Sequence, residues 1–154
     1  MAHPRDEIEA AIQHYLQVRS DAEEGRGGWD DLDQLFTDDA TFIDPAWGRV
    51  TGIENLRTFW RESMQGLDDW RFPHLGHLID GDQVVLKWTN RLPGQREDGT
   101  YYEAPGVSMM TYAGDGKFSY EEDLMNMVHL MEVIGESGYQ FSADMNQPPR
   151  NPPR

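Results

Sequence analysis

Three side chains carry most of the chemistry open to this sequence: Asp44, Tyr15 and Asp123. Asp44 ends the short run Ala40-Thr41-Phe42-Ile43-Asp44, and Pro45 follows it. The residue before a proline is pushed into extended geometry, so Asp44 sits at a strand end. Alternation along that strand puts Phe42 and Asp44 on one face and Thr41 and Ile43 on the other. A carboxylate at a pocket mouth lined by aromatics has its pKa raised by desolvation, which makes it a usable base near neutral pH. The same side chain could instead cap the turn before Pro45. Tyr15 lies on an apolar helical stripe with Ile8, Ile12 and Leu16, where a buried phenol needs a hydrogen-bond partner. Asp123 closes the triplet Glu121-Glu122-Asp123, and alternation puts residues 119, 121, 123, 125 and 127 on one face. An unpaired charge beside Met125 and Met127 is costly, so this acid is paired, or has a raised pKa, or belongs to a solvated patch.

These groups need a scaffold, and the hydropathy pattern supplies one. Apolar residues recur at three and four over residues 6–19, which predicts an amphipathic helix ending near Gly25-Arg26-Gly27-Gly28. Trp29, Leu32, Leu35 and Phe36 predict a short second helix that Asp38-Asp39 breaks. A strand covers 40–44. Gly52 precedes a third helix carrying Ile53, Leu56, Phe59, Trp60 and Met64 on one face, and Gly66 closes it. The period then changes to two. Strands are predicted over 70–79, 83–92, 100–112 and 117–127, with turns at Asp80-Gly81-Asp82 and Ala113-Gly114-Asp115-Gly116. A final short helix covers 128–136. Helices first and antiparallel strands later mean α+β, with a curved sheet over three N-terminal helices and a concave apolar pocket between them.

Composition bounds the function. The chain has 154 residues, no cysteine, 13 Lys plus Arg and 28 Asp plus Glu, for a net charge of −15. Its length suits one domain, placed at 1–141, followed by a Pro-rich tail over 142–154 that is expected to be disordered. Disulfides and thiolate zinc sites are excluded. The negative charge opposes nucleic acid and anionic membranes. No apolar run approaches the ~20 residues of a membrane span, and no signal core opens the chain, so a cytoplasmic protein is expected.

The segment Trp29-Asp30-Asp31-Leu32-Asp33-Gln34-Leu35-Phe36-Thr37-Asp38-Asp39-Ala40-Thr41-Phe42-Ile43-Asp44-Pro45 resembles the nuclear transport factor 2-like superfamily, most closely its SnoaL-like and ketosteroid-isomerase-like enzymes. Gly48 through Trp60 and the Gly114–Phe118 hairpin continue the resemblance, which covers roughly residues 5–137. It implies a cone-shaped α+β barrel and a homodimer. It also implies roles: Asp44 as general base, Tyr15 as hydrogen-bond donor to a developing oxyanion, and Asp123 as the acid/base aspartate of the cyclases. The second oxyanion donor of the isomerases, an aspartate, falls on Ser108. That isomerase serves as a worked example of a tyrosine plus a protonated aspartate forming an oxyanion hole.

Trp47, Trp60, Trp88, Tyr102, Met109 and Met125 are candidates for lining a pocket for a flat apolar ligand, and Asn90 for positioning a water. His74 and His77 are spaced by three, which on a regular strand places them on opposite faces and argues against a shared metal. The expected function is acid/base chemistry next to a carbonyl (isomerisation, cyclisation or dehydration) on a small polyketide- or steroid-like ligand, with no metal and no cofactor. A non-catalytic binding or scaffold domain and a limonene-epoxide-hydrolase-like enzyme are the alternatives. The Arg-x-Asp pair of those hydrolases is missing, since Trp88-Thr89-Asn90-Arg91 stands there instead.

Overall fold

The computed structural model describes residues 1–154. Helix α1 spans Arg5–Glu23 and buries Ile8, Ala11, Ile12, Tyr15, Val18 and Arg19, the three-and-four stripe of the sequence. Residues Trp29–Leu35 form a 3-10 turn instead of an α-helix. The Asp31 carboxylate accepts the Gly28 N–H at 2.9 Å and fixes its start, and Leu32 and Leu35 point inward. Strand β1 follows directly over Phe36–Asp44, longer than residues 40–44, with an irregularity between Phe36 and Thr41 that absorbs the acidic pair. Strand β2, Gly48–Thr51, was not predicted; it folds back on β1 through the Asp44–Gly48 turn. Helix α2, Ile53–Met64, buries Leu56, Phe59 and Trp60.

The remaining strands are β3 (His74–Asp80), β4 (Gln83–Gln95), β5 (Tyr101–Gly114) and β6 (Lys117–Met125), and helix α3 spans Met127–Ser137. All six strands form one sheet in the order β2-β1-β6-β5-β4-β3. Its pairings are antiparallel except β1 with β6, which is parallel. The sheet curves without closing, so the expected cone is an open one. The parallel pairing aligns Phe42 with Glu121 and brings the Asp44 end of β1 beside the acidic triplet of β6.

Two apolar clusters fill the concave side. The larger packs α1, the 3-10 turn and α2 against the sheet through Ile8, Ile12, Leu35, Phe36, Leu86 and Phe118. The smaller joins Trp70, Leu92 and Ala104 to Leu130, Val133 and Ile134 of α3. Asn126 caps α3 by accepting the His129 N–H at 3.1 Å. Beyond α3 the chain has little regular structure and crosses from α3 toward β2. The Asn146 side chain donates to the Glu62 carbonyl at 3.0 Å, and the Arg49 N–H donates to the Pro153 carbonyl at 2.7 Å. No helix is long and apolar enough to cross a membrane.

Candidate active site

A cavity of about 470 Å³ opens between the two clusters, and most of its wall is apolar. Five elements bring polar groups to it: Tyr15 and Arg19 from α1, Asp44 from the end of β1, Asn90 from β4, Ser108 from β5, and Glu121 and Asp123 from β6. Trp47, Trp60, Trp88 and Met125 also line it. Phe141, Met145 and Pro148 of the C-terminal segment cover one side.

Two hydrogen-bond runs end on the β6 acids. The Trp88 indole N–H donates to Ser108 Oγ at 2.9 Å, and the Ser108 hydroxyl donates to Asp123 Oδ1 at 2.6 Å. The Tyr15 hydroxyl donates to Glu121 Oε1 at 2.8 Å. Glu121 is 1% exposed, and its second oxygen, Oε2, has no hydrogen-bond partner. The Asp123 and Glu121 carboxyls stand within hydrogen-bond reach of each other. A proton on Asp123 therefore gives Oε2 the donor it lacks. Burial pushes the Asp123 carboxyl well above the usual range, and the Glu121 charge pushes it further in the same direction. Burial also raises Glu121, against the donors from Tyr15 and Asp123 and the nearby Arg19 charge. Burial and mutual repulsion thus act on the two carboxyls as one coupled pair and favour its holding a proton, with the stronger upward push on Asp123. Asp123 keeps some exposed surface, and that surface faces the cavity.

Asp44 stands apart from this pair. Its Oδ1 accepts the Ala46 and Trp47 N–H groups, both at 2.7 Å. Burial raises its pKa, while those two backbone donors oppose the rise and hold charge on the carboxylate. The turn cap and the cavity position coexist in one residue, because the cap occupies a single oxygen.

Several expectations change in three dimensions. The Tyr15 proton goes to Glu121, so in this structure Tyr15 orients an acid instead of offering its proton to the cavity. Burial, then the Glu121 charge, push its phenol well above the ordinary value. Ser108 links Trp88 to Asp123. The Asn90 amide donates to the Ala104 carbonyl at 3.3 Å. Tyr102 is not part of the cavity wall, because β5 runs past the cavity there and the ring packs under Arg96, 4.7 Å from its guanidinium carbon. Met109 is 37% exposed on the outer face, opposite in parity to Ser108. His74 and His77 do meet, Nε2 to Nδ1 at 3.1 Å, because a bulge at Gly76 (φ 143°) reverses the alternation. His77 also pairs with Glu9 at 2.8 Å, and no group of three His, Cys, Asp or Glu is placed to hold a metal ion.

Sequence reasoning passed over Glu121 and Arg19. Both left a trace: Glu121 shares the alternation face of Asp123, and Arg19 lies four residues after Tyr15 on the apolar stripe. Because Glu121 is buried, Tyr15→Phe deprives a carboxylate of a donor that no water replaces. The expected loss is about 1–3 kcal/mol, read as a lower urea midpoint at pH 7; an unchanged midpoint would show that this bond contributes nothing.

A curved, open six-strand sheet wrapped around its helices is the nuclear transport factor 2-like and ketosteroid-isomerase-like class of fold. Residues 12–121 match the SnoaL-like domain, and the chain belongs to that family. A structure assigned as a SnoaL-like polyketide cyclase from Jannaschia sp. CCS1 is 20% identical, with a TM-score of 0.64, over 82% of this chain and 92% of that one. TerC co-crystallized with polyporic acid is 24% identical, TM-score 0.60, over 84% and 98%. A hypothetical protein with a ketosteroid isomerase-like fold from Catenulispora acidiphila DSM 44928, in complex with trimethylamine, is 20% identical, TM-score 0.60, over 86% and 96%. At these identities the likeness defines the fold alone. No curated protein matches the sequence.

Proposed function

We propose that the protein is an acid/base enzyme acting next to the carbonyl of a small, largely apolar ring compound. One observation supports this above others: two carboxyls in unlike settings face the same apolar cavity, Asp44 held by two backbone N–H donors and Asp123 buried beside a second acid. Burial raises both carboxyls, Asp123 much further than Asp44, and two carboxyls of unequal proton affinity in one cavity suit an acid and a base. Asp44 takes a proton from the carbon next to the carbonyl. The C–H electron pair becomes the new C=C bond, and the C=O π pair moves to oxygen. Asp123 turns its O–H from Glu121 to that oxygen. Glu121 keeps the Tyr15 bond and the field of Arg19, which compensates for the lost donor. Return of the Asp44 proton at another carbon gives isomerisation. Attack of the enol carbon on a second carbonyl forms the ring C–C bond and restores the first C=O, Asp123 recovers its O–H, and the new alkoxide takes the proton held by Asp44, which gives cyclisation. The largely apolar wall limits water around the enol. Trp47 and Trp60 supply flat contact surface for a ring.

The test is deuterium exchange at the α-carbons of ring ketones (2-tetralone, 1-indanone, cyclohexenone) in D2O, followed by proton NMR. Catalysed exchange is expected, and Asp44→Asn should slow it by about 10²–10⁴-fold, the usual worth of a general base. Exchange at the buffer rate with every ketone, or full activity in Asp44→Asn, overturns the assignment. A cavity that binds such ketones without exchanging their protons would mark the chain as a binding domain.

A further inference from the structure

Arg19 poses a problem that the acid/base reading leaves unsolved. It is 7% exposed, yet its guanidinium has no hydrogen-bond acceptor and no ion-pair partner within the protein. Three aromatic rings surround it: its guanidinium carbon lies 5.5 Å from the Tyr15 ring centre, 5.8 Å from Trp88 and 5.9 Å from Phe72. Such stacking accommodates the positive charge but leaves the N–H donors without acceptors. Glu23, four residues on along α1, would be the ordinary partner. Its carboxylate instead accepts the Phe72 N–H at 3.2 Å. The carboxyls of Glu121 and Asp123 are engaged with Tyr15, Ser108 and each other. Burial would lower the Arg19 pKa, but Tyr15 and then Glu121 more than offset it, so the cation persists. Arg19 is also the sole basic side chain in the cavity wall.

A buried guanidinium with unused donors facing a cavity is a ready anion subsite. We propose that Arg19 binds an ionised oxygen acid on the ligand, so that the substrate is an apolar ring system carrying a carboxylate or an enolate oxygen. This deepens the reading of the same cavity and rests on its taking a ligand. The planar fork of the guanidinium accepts both oxygens of a carboxylate, or the two oxygens of an ionised 1,3-dicarbonyl. Anchoring at Arg19 on α1 leaves the ring to extend along the wall that also carries Asp44 and Asp123. The net charge of −15 repels anions at long range, so any preference for an acid has to arise from this local cation.

The experiment compares 2-naphthoate with its neutral methyl ester, titrated into the full-length protein and followed by ligand-observed NMR and calorimetry. The acid should bind on the order of ten- to a hundredfold more tightly than the ester, as expected for a charge-assisted hydrogen bond. Arg19→Met keeps the length and apolar stem, and it should remove that preference while leaving ester binding within about threefold. Arg19→Lys should restore part of it. Equal binding of acid and ester by the unaltered protein overturns the Arg19 assignment and leaves the acid/base reading standing, and that comparison needs no variant to fold. Undiminished preference for the acid in a folded Arg19→Met protein overturns it too. If neither compound binds, the ligand-cavity reading fails and the Arg19 proposal fails with it. Ketone exchange tests the chemistry separately, because it is read on uncharged compounds.

Discussion

Asp123→Asn is expected to slow ketone proton exchange by about 10²–10⁴-fold, and at the same time to make the protein more stable at pH 8. The two effects share one cause. Burial and the Glu121 charge hold the Asp123 pKa well above its ordinary value, which favours a protonated carboxyl that accepts from Ser108 and donates to Glu121. An asparagine reproduces that state: its carbonyl accepts from Ser108 and its amide donates to Glu121. It cannot, however, deliver a proton to a substrate oxygen. The unfolded chain ionises Asp123 near its ordinary value of 3.8. A group whose pKa is higher in the fold than in the unfolded chain contributes stability fully below the unfolded pKa and loses it as pH rises through the folded one. The variant should therefore match the parent near pH 4 and exceed it increasingly as pH rises above that. Urea midpoints of the two proteins across pH 4–8 provide the measurement. A constant gap, or a less stable variant at pH 8, would mean that Asp123 is ionised in the fold and that the acid half of the mechanism is wrong.

Gly106→Ala is expected to cost about 3 kcal/mol, at the upper end of the overpacking range, and to reduce exchange with it. Gly106 faces Trp88 across the β4–β5 ladder. A Cβ at this position would lie 2.5, 2.6 and 2.7 Å from three atoms of the Trp88 ring, far inside contact distance. The ring cannot yield freely, because its indole N–H holds Ser108, which holds Asp123. Relief by a shift of Trp88 moves the catalytic acid; relief by a shift of β5 breaks a ladder that runs from Gln83 to Gln95. A double-mutant cycle with Trp88→Phe separates the two, since the smaller ring removes the clashing atoms. The double variant should lose less stability than the sum of the singles, with a coupling of roughly 1 kcal/mol or more. Simple additivity in urea denaturation would show that the backbone, not the ring, takes up the strain.

Much of this was legible without coordinates, and particular residues show why. The stripe through Ile8, Ile12 and Tyr15 follows the 3.6-residue period of a helix, and the buried residues of α1 carry it. The family and the α+β fold class were legible from Trp29 to Pro45. The breaks in this legibility are local departures from a regular period. The bulge at Gly76 reversed the faces of His74 and His77, and the Asp44–Gly48 turn produced a strand too short to announce itself. Tyr102 and Ser108 share a parity on β5, yet only Ser108 reaches the cavity, because parity states the face and not the position along a curved sheet.

By itself, the sequence determined the class of fold, the order of most elements and the face on which each candidate residue lies. These follow from period and turn chemistry, which act within a few residues of the chain. The tertiary structure alone decided the pairing of the polar groups. Tyr15 and Glu121 are 106 positions apart, and only the packing of α1 across β6 brings phenol and carboxylate to 2.8 Å. The parallel pairing of β1 with β6 put Asp44 near Asp123, and the fold gave Glu23 the Phe72 N–H as a donor. Protonation and partnership depend on distances between groups far apart in sequence, and those distances exist only once the sheet has curved around its helices.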